Sequence, residues 1–430
     1  MQVSGGLVVT PEGVRGAEIF VEGEKIAALH PPGREFHRTL DATGCYVLPG
    51  GIDPHTHLFT DVAPAGRAAA EGGTTTAISF TLPEAGEPVV DALTRGRDDL
   101  VPQAGIDVAL HAYVSAPDAL TAAQIEEVAG LGATGIKLFT AYKELGLQAS
   151  DRNLFETMRS AAPLGLPVLV HCENGDVIDA LVDELLAEGK REAPFFAASR
   201  PPEVEEEAVQ RVLALGGIAG ALVYVVHVST AGGLASIRAA RARGQAAWAE
   251  ACAHHLAFDA SVYEGPDPVR YLTVPPLRER GHVDALWEGV RSGEVDTIGS
   301  DHSQVRFQPP AADDFTGLPY GLAGARYRLP VLLALGRARG IPLERLADLV
   351  ATNAARIFGL WPRKGAIREG ADADLVVWDP DAEWTIDDPE SPYEGLRLQG
   401  RIRAVVARGA PLVQDGDWVG GKPEGRFLPK

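Results

Sequence analysis

The chain has little sulfur: its 430 residues include only three cysteines and two methionines. Cys45, Cys172 and Cys252 form no Cys-x-x-Cys pair, which argues against a disulfide framework and against a site of paired thiolates. We therefore expect reduced, buried thiols in a cytoplasmic protein. The amino terminus shows no charged and then apolar leader, and no apolar run reaches the roughly 18 residues of a membrane span. We expect neither secretion nor a membrane partner.

Positive charge is also scarce, with 39 lysines and arginines against 59 acidic residues and a net charge of -20. Binding of nucleic acid requires a basic patch, so this balance argues against a nucleic-acid partner and favours a solvated acidic surface. Hydrophobic residues make up 46% of the chain, as in an ordinary globular protein. The length is sufficient for a barrel of about 250 residues with a smaller module.

The middle of the chain alternates short apolar runs with helical stretches. This alternation is typical of parallel strands joined by helices, and eight strands predict a (β/α)₈ TIM-like barrel of the α/β class. Helical stretches include 121–131, 175–188, 203–215 and 231–243. The predicted strands lie near 52–57, 75–81, 107–114, 135–139, 167–172, 221–229, 246–252 and 295–300.

The two ends of the chain have a different texture, with short apolar and polar alternation broken by glycine and proline. We predict that both ends together form a small β-sandwich, because either end alone has few strands with which to bury a face. The predicted division is residues 1–50 and 361–430 for the sandwich and 51–360 for the barrel. The stretch 303–325 reads as a long loop after the last barrel strand, and we expect it to overhang the barrel mouth.

Potential metal ligands lie at or near the ends of these predicted strands. Residues two apart on a strand share a face, so His55 and His57 can bind one ion together. In a parallel barrel the carboxyl ends of all strands face one mouth, which is where ligands from separate strands can converge. The order and spacing are typical of a two-metal hydrolase; the six residues are His55, His57, Lys137, His171, His227 and Asp301.

The motifs around these residues resemble those of the cyclic amidohydrolases, and within them the hydantoinase and dihydropyrimidinase branch. The resemblance covers nearly the whole chain. It is carried by PGGIDPHTH (49–57), GGTTT (72–76), IKLFTAYK (136–143), HCENGDVI (171–178), VVHVSTA (225–231), PPLR (275–278), GSDH (299–302) and NAARIFGLWPRKGAIREGADADLVVWDP (353–380). It implies the ring opening of a hydantoin or dihydropyrimidine to an N-carbamoyl amino acid.

The resemblance also implies two divalent ions per chain. One would be held by His55, His57, Asp301 and a CO₂-derived carbamate on Lys137, and the other by the same carbamate with His171 and His227. Without the resemblance, an interior lysine paired with a carboxylate would be the preferred interpretation of Lys137. Imidazole and oxygen ligands favour zinc and leave manganese, iron, cobalt or nickel open.

Several further roles follow from the same resemblance. Asp301 would act as the general base and then the general acid, and Tyr142 would stabilise the oxyanion and contact the substrate. His302 and His254 are candidates for positions behind the ligands, although His302 could also be an exposed loop residue. Candidate substrate contacts are Val274, Arg326 and Tyr327.

The range of candidate substrates is narrowed by the absence of two residues with which dihydroorotases bind the substrate carboxylate. Phe59 stands at the arginine position of His-x-His-x-Arg, and Glu84 stands at the asparagine position of a Pro-Asn-Thr turn. A neutral ring therefore fits better than a carboxylate-bearing one. Val274 and the segment Gly324–Arg328 depart from the branch pattern, and the loop after His57 is short, which leaves allantoin, a dihydroorotase-like substrate or another cyclic imide open.

A non-catalytic scaffold relative is a third reading, but such relatives lose metal ligands and this chain keeps all six. The carboxyl-terminal GRFLPK resembles a tail that packs between subunits, so we expect a homotetramer or homodimer.

Overall fold

The computed structural model describes residues 1–30, 39–58, 61–84, 86–303, 315–318, 320–421 and 424–430. The amino-terminal end contributes seven short strands before the barrel begins. They are β1 (Gln2–Ser4), β2 (Leu7–Thr10), β3 (Gly13–Gly16), β4 (Glu18–Glu22), β5 (Lys25–His30), β6 (Thr39–Asp41) and β7 (Tyr46–Pro49).

Eight parallel strands form the barrel, each hydrogen-bonded to its neighbours in sequence order. Nearly all of their residues are buried, which explains why the strands read as continuous apolar runs rather than as an alternation. They are β8 (Gly51–Thr56), β9 (Thr74–Phe80), β10 (Asp107–Tyr113), β11 (Gly135–Phe139), β12 (Val168–His171), β13 (Val223–Val225), β14 (Ala247–Cys252) and β15 (Thr297–Gly299).

Four further strands follow the barrel: β16 (Leu375–Thr385), β17 (Arg397–Ala407), β18 (Ala410–Gln414) and β19 (Asp417–Trp418). They pair with β7, β2 and β3 in one seven-stranded sheet of both chain ends, while β5, β4, β1 and β6 form a second sheet. Buried residues of the two sheets share one hydrophobic cluster, for example Ile19 with Leu375. The predicted barrel with a β-sandwich of both chain ends is therefore confirmed, whereas its exact boundaries stay a prediction.

Helices cover the outside of the barrel, and shorter 3₁₀ and π turns extend or join them. They are α1 (Val62–Glu71), α2 (Val89–Arg95), α3 (Ala122–Gly130), α4 (Asp151–Ala161), α5 (Gly175–Ala187), α6 (Phe195–Ala198), α7 (Pro202–Ala219), α8 (Ala231–Ala242), α9 (Ala253–Ala257), α10 (Arg280–Ser292), α11 (Arg328–Ala338), α12 (Leu343–Ala347) and α13 (Asn353–Ile357).

Several of these helices begin at side-chain caps. Thr121 and Ser150 each form a capping box with the third residue of the helix that follows, α3 and α4. Asn174, next to the predicted ligand His171, accepts from the backbone N–H of Val177 and starts α5. This cap turns the chain away from the barrel mouth directly after a site residue.

The carboxyl-terminal tail packs against the barrel of its own chain. The backbone N–H of Val108 donates to Arg426, and that of Leu428 donates back to Val108, both at 2.9 Å. Within the described residues, no helix has the combined length and apolar character needed to cross a membrane.

Candidate active site

The six sequence-predicted ligands all lie at the carboxyl ends of barrel strands, where they line one cavity of about 240 Å³. His55 is in β8, Lys137 in β11 and His171 at the end of β12. His57, His227 and Asp301 follow β8, β13 and β15 by one or two residues. The barrel thus brings together residues that are up to 246 positions apart (55 to 301) in the sequence.

One group consists of His55, His57 and Asp301. The same carboxylate oxygen of Asp301 lies 3.0 Å from Nε2 of His55 and 3.1 Å from Nε2 of His57. One nitrogen or oxygen of each residue lies within 4.8 Å of those of the other two, as a shared ion requires. Burial alone would raise the pKa of Asp301, but the contacts with His55 and His57 hold it well below its usual range.

Glu250 of β14 holds His55 in place from behind. Nδ1 of His55 donates to this fully buried carboxylate at 2.6 Å, so Nε2 is turned towards Asp301. Burial alone would lower the pKa of His55, but Glu250 and Asp301 raise it to about 9. Gly299 leaves room for this pair, because an added Cβ would lie 3.0 Å from both Glu250 and His55.

The second group is His171 with His227, whose Nδ1 and Nε2 atoms face each other across 3.0 Å. His171 uses its other nitrogen to donate to Glu173 at 2.8 Å, and Arg200 donates to the same carboxylate at 3.0 Å. Burial alone would raise the pKa of Glu173, but Arg200 and His171 lower it to about 2. Burial lowers the pKa of both His171 and His227, which favours neutral imidazoles.

Lys137 lines the same cavity as both groups and is almost completely buried. Within the described part of the chain its Nζ makes no hydrogen bond or ion pair, and it lies 5.0 Å and 4.9 Å from the ring centres of Phe80 and Phe139. Burial lowers the pKa of Lys137 to about 8. The alternative of an interior lysine paired with a carboxylate therefore lacks the carboxylate.

Three site residues have a strained backbone. Tyr142, His227 and Asp301 have φ of 69°, 37° and 47° and are three of the six described non-glycine residues with positive φ. Such conformations cost about 1–3 kcal/mol each and tend to occur at functional sites. Tyr142 lines the cavity, and its ring lies 5.1 Å from that of His171. Burial raises the pKa of Tyr142 well above its usual range, so its hydroxyl stays protonated.

Of the other residues predicted from the sequence, some line the cavity and others do not. Val274 lines the cavity. His302 and His254 are buried behind it, and neither ring nitrogen of either residue has a hydrogen-bond partner among the described residues. Burial lowers the pKa of His302 to about 4. His302 is therefore not an exposed loop residue, and its ring does not contact Asp301 through a hydrogen bond.

Arg326 and Tyr327 lie away from this cavity, contrary to expectation. Arg326 forms an ion pair with Glu71, and its backbone packs against Gly72 just before β9, at the amino end of the barrel. The Tyr327 hydroxyl donates to Asp388 at 2.9 Å. The segment that reaches the cavity comes earlier in the chain.

That segment holds Tyr320 and Gly321, which line the cavity together with Ser303. The ends of the predicted loop 303–325 thus border the mouth, whereas residues 304–314 and 319 lie outside the described residues, as does Phe59. Glu84 is exposed and lines a neighbouring cavity instead. Sequence reasoning missed Tyr320, and it also missed Glu173, Glu250 and Arg200.

Apolar side chains form one wall of the cavity. They belong to residues on or after the ends of β9, β10 and β11: Leu82, Tyr113, Phe139, Leu145 and Leu147. Lys137 is the only lysine or arginine among the described residues that line it.

Comparison with known proteins agrees with this site. Residues 46–412 match the amidohydrolase family. The chain is 37% identical to a D-hydantoinase of Geobacillus stearothermophilus over 99% of this chain and 95% of that protein. It is 36% identical to a D-hydantoinase of Ralstonia pickettii over 99% and 98%.

Solved structures give the same answer. A dihydropyrimidinase from Brevibacillus agri superposes with a TM-score of 0.94 at 36% identity, over 99% of this chain and 98% of that chain. An L-hydantoinase (dihydropyrimidinase) from Arthrobacter aurescens superposes with a TM-score of 0.90 at 30% identity, over 100% and 99%. Given this similarity over the full chain, the protein belongs to the amidohydrolase family, in its hydantoinase and dihydropyrimidinase branch.

Proposed function

We propose that this protein hydrolyses a neutral cyclic amide, a hydantoin or dihydropyrimidine ring, to an N-carbamoyl amino acid with the help of two divalent ions. The observation that carries the proposal is Lys137. Its amine is buried, forms no ion pair among the described residues, and lines the same cavity as four histidines. An isolated buried ammonium is costly, so this position suits a neutral amine or its reaction product.

The reaction product we propose is a carbamate. The neutral amine of Lys137 attacks CO₂, a C–N bond forms and one proton passes to solvent. A pKa lowered to about 8 by burial increases the neutral fraction of this amine near neutral pH. The carbamate gives a buried anion with two oxygens, and lysine itself has no lone pair for a metal while it is protonated.

The surrounding residues fit two ions by their hydrogen bonds. Imidazole ligands usually donate their second N–H to a carboxylate or carbonyl, which fixes the nitrogen that faces the metal. Glu250 does this for His55, and Glu173 does it for His171. We propose that one ion is held by His55, His57 and Asp301 and the other by His171 and His227. The Lys137 carbamate would be a ligand of both ions. Zinc is the first candidate for the metal, with manganese, iron, cobalt or nickel as alternatives.

When bound, the two ions would supply an activated water and polarise the ring carbonyl. Asp301 is suited to the proton transfer. Its pKa is held well below the usual range, so it is a carboxylate that can accept the proton of the attacking water. It returns this proton to the ring nitrogen as the C–N bond breaks.

Tyr142 is suited to stabilise the oxyanion. Its hydroxyl stays protonated because burial raises its pKa, and the left-handed backbone at this residue turns the ring over the cavity beside His171. A donor aimed at the developing charge acts mainly in the transition state. We therefore assign Tyr142 to kcat rather than to substrate affinity.

The cavity also supports a neutral substrate with an apolar substituent. Its apolar wall, which includes Leu82, Leu145 and Leu147, suits an alkyl or aryl group on the ring. Once Lys137 is a carbamate, none of the described lining residues is a lysine or arginine that could anchor a substrate carboxylate. The names of the matched relatives, D-hydantoinase and dihydropyrimidinase, agree with such a ring.

We also propose a cytoplasmic homo-oligomer, a tetramer or a dimer. Three buried free cysteines suit a reducing compartment. Leu145, at the cavity rim, and Ile218, at the end of α7, are exposed apolar side chains that an interface would cover.

The decisive experiment is hydrolysis of a substrate panel by zinc-loaded and manganese-loaded protein, with metal content measured on the same sample. The panel consists of hydantoin, 5-substituted hydantoins, dihydrouracil, allantoin and dihydroorotate. We expect turnover of a neutral hydantoin or dihydropyrimidine and a requirement for about two ions per chain in this site. Two ions without turnover would reject the substrate, and less than one ion per chain would reject the metal hydrolase.

Two variants test the roles of individual residues. Asp301→Asn should lower kcat by about 10²–10⁴-fold because it removes the proton carrier. Its matched control, Glu84→Gln, removes an exposed carboxylate and should leave kcat unchanged. If Asp301→Asn keeps both ions and most of its turnover, the proton-transfer role is wrong.

Lys137→Ala tests the carbamate. The variant should lose both ions and turnover, and acetate or propionate should restore part of each, because a short carboxylate can occupy the space of the carbamate. Restoration by chloride at the same ionic strength would contradict this interpretation.

A further inference from the structure

A second group of metal-binding side chains lies outside the proposed binuclear site. It consists of Cys252, His254 and His255, which we call the Cys–His cluster. One donor atom from each residue lies within 4.8 Å of the other two. Cys252 is the last residue of β14, and the two histidines lie in the first turn of α9. None of the three belongs to the ligand set proposed above.

The cluster is completely enclosed, with exposed fractions of 0% for Cys252 and His254 and 2% for His255. Nevertheless its polar atoms have few partners. Neither nitrogen of His254 has a hydrogen bond among the described residues, and Nδ1 of His255 has none either. Cys252 occupies the N-cap position of α9, but its side chain makes no capping hydrogen bond.

Without a ligand, the unpartnered polar atoms of the Cys–His cluster destabilise the folded protein. A buried polar atom that lacks a partner destabilises the fold, and folded proteins leave few such atoms. Three such nitrogens, from two adjacent rings with centres 4.3 Å apart, therefore require an explanation. A soft metal ion would satisfy a nitrogen of each ring and the sulfur at once.

His255 is already oriented as a metal ligand. Its Nε2 donates to the backbone carbonyl of Pro275 at 3.1 Å, which leaves Nδ1 as the nitrogen with the lone pair. Nδ1 is the nitrogen without a partner. A second N–H tied to a backbone carbonyl is the usual support of a metal-bound imidazole.

We propose that Cys252, His254 and His255 form a third metal site, which takes a soft ion, Zn²⁺ or Cu⁺. One thiolate with two imidazoles is a donor set that both ions accept. Zinc bonds of about 2.0–2.3 Å place tetrahedral donors about 3.3–3.8 Å apart, so the donor atoms of the cluster must approach one another by no more than about 1.5 Å. Three protein donors suit Cu⁺ directly, and Zn²⁺ with a water as its fourth ligand.

Binding at this site releases one proton. A cysteine binds a metal ion as the thiolate, so the Cys252 thiol loses its proton when the ion arrives. The charge of the ion then replaces the proton, and the proton passes to solvent. The ion would tie the end of β14 to α9 and, through His255, to Pro275.

The third ion would therefore stabilise the segments that lie behind the active site. Glu250, which holds His55, is two residues before Cys252 on β14. Val274, which lines the substrate cavity, precedes Pro275. The third ion is thus structural, in an enclosed site that substrate does not enter.

X-ray absorption on the intact protein tests this proposal without activity as a readout. The binuclear ligands proposed above include no thiolate, so any zinc–sulfur or copper–sulfur distance near about 2.3 Å reports the Cys–His cluster. Protein is produced with added zinc and, separately, with added copper under reducing conditions. We expect sulfur at one of the two edges and about one metal ion per chain beyond those of the binuclear site.

Two variants assign the signal. Cys252→Ser and His255→Gln should each lose about one ion per chain and all metal–sulfur signal. The glutamine keeps a donor for Pro275 while it removes Nδ1. Cys45→Ser, which removes a buried thiol of the β-sandwich, should change neither quantity.

The outcomes are separable. Sulfur at the zinc edge or at the copper edge identifies the ion, and its loss in Cys252→Ser supports the site. Absence of sulfur at both edges in the wild-type protein overturns the proposal, even if a variant fails to fold. If the binuclear proposal failed instead, the sulfur signal would remain and the total metal content would fall to about one ion per chain.

Discussion

At the scale of single residues, the site is set by a few side chains whose backbone is strained and whose contacts are buried. Tyr142, His227 and Asp301 each follow a barrel strand and have positive φ. An extended strand would point alternate residues away from the mouth. The left-handed conformation breaks this alternation and aims each side chain into the cavity, at a cost that the surrounding packing must offset.

Tyr142→Phe removes the hydroxyl and keeps the ring, so it tests the hydroxyl alone. The ring would still pack against Phe139 and His171, with ring centres at 5.9 Å and 5.1 Å in the wild type, so substrate binding should change little. Loss of one oxyanion donor typically lowers kcat by about 10²–10³-fold. Steady-state kinetics on the best substrate should therefore show a lower kcat at a nearly constant KM.

If Tyr142→Phe changed KM and preserved kcat, Tyr142 would only line the pocket and would not stabilise the oxyanion. Tyr113→Phe is the matched control, because Tyr113 lines the same cavity and its ring lies 5.1 Å from that of Phe139. We expect it to keep kcat.

The sequence alone predicted the six potential metal ligands that line the mouth but not the residues that hold them. His55 and His171 stand out because each ends an apolar run in a recognisable motif. Glu250 and Glu173 could not be paired with them in advance, because the partnership of Glu250 with His55 spans 195 residues and exists only once the barrel closes. Glu173 had only a weak local signal: it lies two residues after His171, where β12 has already ended.

The error over Arg326 and Tyr327 has a different origin. Within a long loop, position in the sequence does not indicate which residues turn inward. The loop reaches the cavity at Tyr320 and Gly321, where Gly321 has φ 131°, and then descends to the amino end of the barrel.

At the scale of secondary-structure elements, periodicity located every barrel strand but overestimated two of them. The runs near 221–229 and 295–300 read as longer strands than β13 and β15, which have three residues each. The apolar character continues past the ends of these strands, whereas the backbone does not, because His227 and Asp301 leave the extended region. The positive φ of these two residues ends the extended conformation despite the strand propensity of the sequence.

Lys364 joins the barrel to the β-sandwich. Its buried Nζ lies 2.6 Å from Asp107, the first residue of β10, and 2.6 Å and 3.0 Å from Asp374 and Asp372, which precede β16. Lys364→Met would leave three carboxylates without their shared cation. Removal of one partner from a buried ion pair typically costs about 3–5 kcal/mol, so the free energy of unfolding should fall by that amount in urea titrations.

The control is Lys190→Met, at an exposed pair with Glu188, which should change the free energy of unfolding by less than about 1 kcal/mol. Equal effects of the two substitutions would show that the buried network contributes no more than a surface pair.

The same network predicts how the stability of the folded protein changes at low pH. Burial alone would raise the pKa of Asp372, but Lys364 and Lys25 lower it to about 2. Because the folded pKa lies below that of an unfolded aspartate, this contribution to stability is present above about pH 4 and is lost as the pH falls towards about 2. Urea unfolding at about pH 5 and about pH 3 should show a loss of stability that is smaller in Lys364→Met.

At the scale of the whole molecule, the barrel is closed where the chemistry is proposed. The eight strands are paired in order from β8 to β15, and in the described part of the chain backbone hydrogen bonds join the ends of these two strands. The backbone N–H of Asp301 donates to the carbonyl of His55 at 3.0 Å, and the backbone N–H of His57 donates to the carbonyl of His302 at 2.9 Å. An ion shared by His55, His57 and Asp301 would cross this seam, and the Lys137 carbamate would extend the link to β11.

Removal of the ions should therefore loosen the entire barrel rather than only the mouth. An ion that binds the folded chain stabilises it by about 3–4 kcal/mol when its free concentration is about 10²–10³ times its dissociation constant. Dialysis against a chelator should lower Tm by several degrees, and added zinc should restore it, as followed by calorimetry. Lys137→Met should have the lower Tm from the start and respond little to chelator, because it lacks the carbamate that both ions share. A wild-type Tm that is indifferent to chelator, in protein shown to have lost its metal, would mean that the hydrogen bonds between β8 and β15 close the barrel without the ions.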